Sequence, residues 1–99
     1  MNEHAAVVRL VKHKEASGRR DEVAGLLRAV ADAARLAPGC FGAQVMTSDH
    51  DHDSLFLVSR WESADAMKKF GESPDFASLQ RQLQSSLSGP PDVEVLTTA

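Results

Sequence analysis

The spacing of apolar positions changes along the chain, and each change marks an element. Over residues 5–12 apolar and polar residues alternate loosely and valine is frequent, which predicts a strand. Ser17-Gly18 breaks that pattern. Beyond Asp21 the spacing becomes helical: Val23, Leu26, Leu27, Val30 and Ala34 fall on one stripe. Asp21 and Glu22 suit the positive end of the helix dipole, and Leu36-Ala37-Pro38-Gly39 ends the helix because proline cannot extend its hydrogen-bond ladder. Two strands follow, over 40–48 and 53–61, with the polar run Asp49-His50-Asp51-His52 turning between them. Ser63 caps a short helix whose Ala64, Met67 and Phe70 face inward. Ser73-Pro74-Asp75 restarts it with a cap, a proline at the first position and an acid in the first turn. Phe76, Leu79, Leu83 and Leu87 form the stripe of this second piece, Gly89-Pro90-Pro91 stops it, and residues 93–98 make a last strand.

The order is βαββαβ. Short connections and right-handed crossovers then give an α+β, ferredoxin-like domain over residues 1–99: a four-stranded antiparallel sheet with its helices on one face. In the third strand, Leu55-Phe56-Leu57-Val58 is apolar at both parities, so both faces of the sheet need cover there. Helices cover one face only. A second copy packing sheet against sheet covers the other, which predicts a homodimer through Phe56, Val58 and Arg60.

Charge and composition narrow the function. Fourteen acidic residues against 11 basic ones give a net charge of -3, the wrong sign for a nucleic-acid binder. No apolar run exceeds four residues, far short of the roughly 20 of a membrane-spanning helix. Met1-Asn2-Glu3-His4 lacks the features of a signal peptide, which predicts a cytoplasmic protein. The single cysteine, Cys40, allows no internal disulfide and no cysteine-based zinc site. It reads as a small buried hydrophobe at a strand start. Aromatic residues are four Phe and one Trp, with no Tyr.

Arg60-Trp61-Glu62-Ser63 with Ala64-Asp65-Ala66, then Ser73-Pro74-Asp75-Phe76, resembles a pattern of the antibiotic biosynthesis monooxygenase family, whose members are dimeric α+β barrels. Pro38-Gly39-Cys40 and the βαββαβ order extend the resemblance over nearly the whole chain. Trp61-Glu62-Ser63, Phe70-Gly71 and Gly89-Pro90-Pro91 are similar to the small monooxygenases of aromatic polyketide tailoring. The resemblance implies a cofactor-independent monooxygenase that oxidises an aromatic polyketide, quinol or related phenol with O₂. Its pocket lies between sheet and helices, with no metal and no organic cofactor. If Trp61 points under the helices, strand parity adds Leu57 and Ser59 to the pocket wall, and helix spacing adds Met67, Phe70, Phe76, Leu79 and Leu83 as the roof. The similar enzymes carry an Asn where this chain has Leu57, a Tyr where it has Met67, and a last-helix Arg whose counterpart is Arg81 or Gln80. The haem-degrading branch uses a Trp, a His and an Asn where this chain has Phe70, Gln80 and the Val8-Arg9 pair, so haem degradation is disfavoured.

Cofactor-free oxygenation needs a dry pocket, a base and a donor that holds an anion. The base candidates are His13 and, less so, His4, against which stands a solvated surface imidazole for each. Arg9 falls mid-strand and reaches either the pocket or the dimer seam; Gln44 either orients a substrate carbonyl or satisfies an interface hydrogen bond. Arg81 and Gln80 lie either at the pocket or on an exposed helix face. Trp61 either stacks on an aromatic substrate or anchors the core. The basic stretch about Lys12-His13-Lys14 and Arg19-Arg20 either steers an anion or is a solvated loop. Asp49-His50-Asp51-His52-Asp53 fails as a calcium loop, with Ser54 in place of the turn glycine and Arg60 in place of the bidentate Glu, and reads as a polar hairpin tip. The alternative to an enzyme is a non-catalytic dimer of the same fold that binds a small apolar molecule.

Overall fold

The computed structural model describes residues 7–99; His4, Ala5 and Ala6 lie outside that range. Seven elements follow one another: β1 (Val7–Lys14), α1 (Arg20–Arg35), β2 (Cys40–Thr47), β3 (Ser54–Trp61), α2 (Ala64–Gly71), α3 (Pro74–Gln84) and β4 (Asp92–Thr97). The strands form one antiparallel sheet in the order β2-β3-β1-β4, the expected ferredoxin-like arrangement.

Helix α1 places Val23, Leu27, Val30 and Ala34 in the core, joined by Ala31, while Leu26 stays half-buried at the flank of the stripe. No side chain caps its start, yet Glu22 in the first turn accepts hydrogen bonds from Arg19 and from the buried Ser86 hydroxyl at the far end of α3. The turn into β2 depends on Gly39. Its φ of +82° suits glycine, and a Cβ there would lie 2.6 Å from the Cβ of Ala66. The Gly39 carbonyl also accepts from Glu62 N–H at 2.8 Å, so the end of α1 is tied to the end of β3.

The polar tip between β2 and β3 is organised by Asp51. Its carboxylate accepts from Asp53 N–H (3.1 Å) and Ser54 Oγ–H (2.9 Å) and pairs with Lys12 Nζ at 2.9 Å. This holds the hairpin against β1. His50 and His52 are exposed, and among the described residues no cluster of three His, Cys, Asp or Glu side chains is placed to hold a metal ion.

Ser63 and Ser73 cap α2 and α3 as the sequence implies, accepting from Ala66 N–H and Phe76 N–H. Ala64, though exposed, lines the same cavity as Met67 and Phe70, and Ala66 also packs inward, its methyl filling the space over Gly39. Helix α3 stops at Gln84 rather than running on to Gly89. Ser86 C=O accepts from Ala16 N–H and Ser88 N–H donates to Lys14 C=O, so Leu87 leaves the helix to bridge Glu15 beside the end of β1. Strand β1 reaches Lys14, two residues beyond its expected end.

The core lies between α1 and the sheet, with Leu55, Leu57 and Trp61 of β3 at its centre. Phe56 and Val58, of opposite parity, are half-buried on the outer sheet face, and Arg60 is exposed there. Strand β4 pairs only with β1 and is exposed along its length. Among the described residues no helix is long and apolar enough to cross a membrane.

Candidate functional site

The helix-side face of the sheet carries the groups that matter. In β1, Val7, Arg9, Val11 and His13 share one parity, and register sets Arg9 opposite Ser59 and His13 opposite Leu55 on β3. Beneath the helices these positions open into a cavity of about 410 Å³. Its walls are Leu57, Ser59 and Trp61 of β3, Val30 and Ala34 of α1, and Met67, Phe70 and Phe76 of α2 and α3. A smaller lobe of about 60 Å³ adjoins it, lined by His13, Val11, Gln80 and Leu83. Arg9, Val30, Leu57 and Phe76 border both lobes, so Arg9 stands at their junction.

Trp61 is 1% exposed and its ring lies 5.6 Å from Phe70, which lies 5.4 Å from Phe76. The three rings form a tilted aromatic wall, with interplanar angles of 32° and 57°. Indole Nε1–H donates to Ser59 Oγ at 2.9 Å, so the buried nitrogen is satisfied. Trp61 is thus a core anchor that also presents a ring to the cavity.

His13 is 5% exposed rather than solvated, because its parity is that of Val7 and Val11. Its Nδ1 is buried with no hydrogen-bond partner. Burial first, and then the Arg9 charge, hold its pKa below the ordinary 6.5, against an opposing pull from the backbone of Leu55 and Val11. The imidazole is therefore uncharged at neutral pH. Arg9 is half-buried, has no ion-pair partner among the described residues, and burial lowers its pKa also.

Three expected residues do not line this site: Gln44, Arg81 and Leu79. Gln44 is exposed on the outer sheet face, opposite Val58 and against Met46 Sδ, because Ala43 and Val45 take the inward parity of β2. Arg81 is exposed on the solvent side of α3 and lines neither lobe, since Phe76, Leu79 and Leu83 take the buried stripe. Leu79 packs against the core without reaching the cavity, and Gln80 lines the smaller lobe. Leu57, Ser59, Met67, Phe70, Phe76 and Leu83 all line one lobe or both. Sequence reasoning did not single out Lys68 and Glu72, which stand exposed at the rim of the larger lobe. The i, i+4 spacing of Lys68 from Ala64 on a helix that roofs a pocket carries that signal.

An apolar cavity with an aromatic wall and a half-buried guanidinium, adjoined by a lobe with a buried uncharged imidazole, can hold a flat organic molecule, accept a proton from it and stabilise the anion formed.

Comparison with known proteins places the chain. A family model described as antibiotic biosynthesis monooxygenase matches residues 6–82. No curated protein matches the chain in sequence. Among solved structures, Rv0793 from Mycobacterium tuberculosis is similar at 24% identity with a TM-score of 0.86, over 94% of each chain. PA3566 from Pseudomonas aeruginosa is 16% identical with a TM-score of 0.84, covering 100% of this chain and 99% of that one. A Caulobacter crescentus protein named for the same family is 20% identical with a TM-score of 0.84, over 96% and 92% of the two chains. At these identities the likeness establishes the fold. The family match spans most of the sequence, and the chain belongs to the antibiotic biosynthesis monooxygenase family.

Proposed function

We propose that the protein is a homodimeric monooxygenase that oxidises a planar phenol, quinol or related aromatic polyketide with O₂, using neither a metal nor an organic cofactor. The observation that carries this reading is the buried His13 imidazole, which lines a small lobe that shares Arg9, Leu57 and Phe76 with the aromatic-walled cavity. His13 takes the proton of the phenol or enol, and Arg9 holds the resulting anion. The anion gives one electron to O₂, forming an organic radical and superoxide, and the two recombine in a carbon–oxygen bond. The imidazolium returns its proton to the peroxide, and loss of water leaves the quinone. For anthrone the balance is one O₂ consumed, one water released and a methylene converted to a carbonyl.

Leu57 and Met67 line the cavity where similar enzymes carry Asn and Tyr, so neither can move a proton there. The proton chemistry consequently falls to His13, from a different strand. That same apolar substitution favours the second reading, a binding dimer without turnover. Oxygen uptake and quinone formation with anthrone or 1,4-dihydroxynaphthalene separate the two. We expect a protein-dependent rate above autoxidation that falls about 100-fold or more in His13→Gln, the usual scale for losing a general base. A rate equal to autoxidation would leave the binding dimer as the better reading.

A further inference from the structure

The cavity holds a charge that nothing in the described chain balances. Among the described residues four ion pairs are formed, Lys12–Asp51, Arg19–Glu22, Arg20–Glu15 and Arg35–Asp32; Arg9 belongs to none of them, nor does Lys68, which stands exposed at the rim. Arg9 is half-buried between two lobes whose other walls are mostly apolar. A guanidinium cannot shed its charge at ordinary pH, so burying it without a counter-ion is costly. Its cross-strand neighbour Ser59 is 5% exposed, and that hydroxyl already accepts from Trp61 Nε1–H, so its own proton is left to donate. A guanidinium fork and a hydroxyl proton together make a carboxylate cradle. Glu72, the one carboxylate bordering either lobe, stands exposed at the rim and forms no ion pair.

We propose that the ligand of this cavity is an aromatic carboxylate of two or three fused rings, its carboxylate on Arg9 and Ser59 and its rings against Trp61, Phe70 and Phe76. The inference rests on the cavity of the proposed oxygenase and narrows its substrate from phenols at large to acidic ones. A volume of about 410 Å³ is near the small end of ligand cavities, about 300–1,000 Å³, which favours this ring count. Arg9 is then the residue that selects charge, and the aromatic wall selects shape.

Binding measured without turnover tests this independently of the oxygenase reading. Isothermal titration calorimetry under nitrogen compares 2-naphthoate, 2-naphthamide and 2-naphthol on the intact protein. We expect 2-naphthoate to bind at least 10-fold more tightly than either neutral analogue. Arg9→Met, which keeps an unbranched apolar stem and removes the guanidinium, should erase that preference while retaining the neutral analogues. Lys68→Gln, which removes the rim cation, should leave it in place. Equal affinity for the three probes, no binding of 2-naphthoate at millimolar concentration, or a preference lost in Lys68→Gln and kept in Arg9→Met overturns the proposal. The comparison among probes needs no variant, so a poorly folding Arg9→Met does not rescue it. A clear preference alongside no oxygen uptake would retain the acid-binding site and discard the oxygenase.

Discussion

His13 and Asp51 are both held below their ordinary pKa values, by opposite physics. At His13 burial penalises the charged imidazolium, and the Arg9 charge adds to it. At Asp51 the hydrogen bond from Lys12, followed by that from Ser54, favours the charged carboxylate and brings its pKa to about 2. Both shifts have the same consequence for stability. In each case the unfolded chain takes up its proton at a higher pH than the folded chain, so stability falls as the pH drops through the gap. For His13 the gap opens below 6.5; for Asp51 it runs from 3.8 to about 2. Urea denaturation across pH 7.5 to 5 should therefore show a slope that His13→Gln reduces, while Asp51→Asn flattens the more acidic range and leaves this one unchanged. The same depression sets the rate: if neutral His13 is the base, the acid limb of kcat/KM lies below pH 6.5, and a limb above it excludes His13.

The helices are clipped to the sheet at particular backbone points, and two glycines on or beside α1 show the difference between a required and an incidental one. Gly39 combines φ of +82° with Ala66 Cβ close by, whereas Gly25 is exposed mid-helix with open space around it. Gly39→Ala should destabilise by more than about 1 kcal/mol, and Gly25→Ala should stabilise by up to about 1 kcal/mol, both read from urea midpoints at constant slope. The elements themselves were legible because their periods are strong: the α1 stripe, the two serine caps and the period-2 wall Leu57-Ser59-Trp61 all stand where the sequence puts them. Misreadings arose where polar residues do apolar work. His13 is buried, so counting it as polar ended β1 early, although its shared parity with Val7 and Val11 was there to be read. Of the two alternatives for Gln44 the structure excludes the pocket one, because the inward face of β2 follows from its pairing with β3, which local pattern does not give. Leu87 fits the helical stripe by spacing, but hydrogen bonds from the β1 end, distant in sequence, take the chain out of the helix first.

At the scale of the whole molecule, one layer of helices serves a sheet with two apolar faces. Phe56 and Val58 are only half-buried on the outer face, Met46 is exposed beside them, and Leu96 at β4 is 49% exposed. A contiguous apolar patch on an isolated sheet is unfavourable in water, and a two-fold copy packed face to face removes it from both subunits at once. The dimer proposed above rests on the same β3 run: Leu55 and Leu57 are buried in the core, and Phe56 and Val58 are left on the outer face for a partner to cover. Light scattering after size exclusion should give twice 10.7 kDa at micromolar concentration. Val58→Asp puts a charge on the outer sheet face of each subunit, in the middle of the proposed seam, and should shift the mass to 10.7 kDa with the helical circular dichroism retained. A wild-type mass of 10.7 kDa across that concentration range would mean that the outer face is tolerated in solvent. The cavity lies on the opposite side of the sheet from that face, beneath the helices.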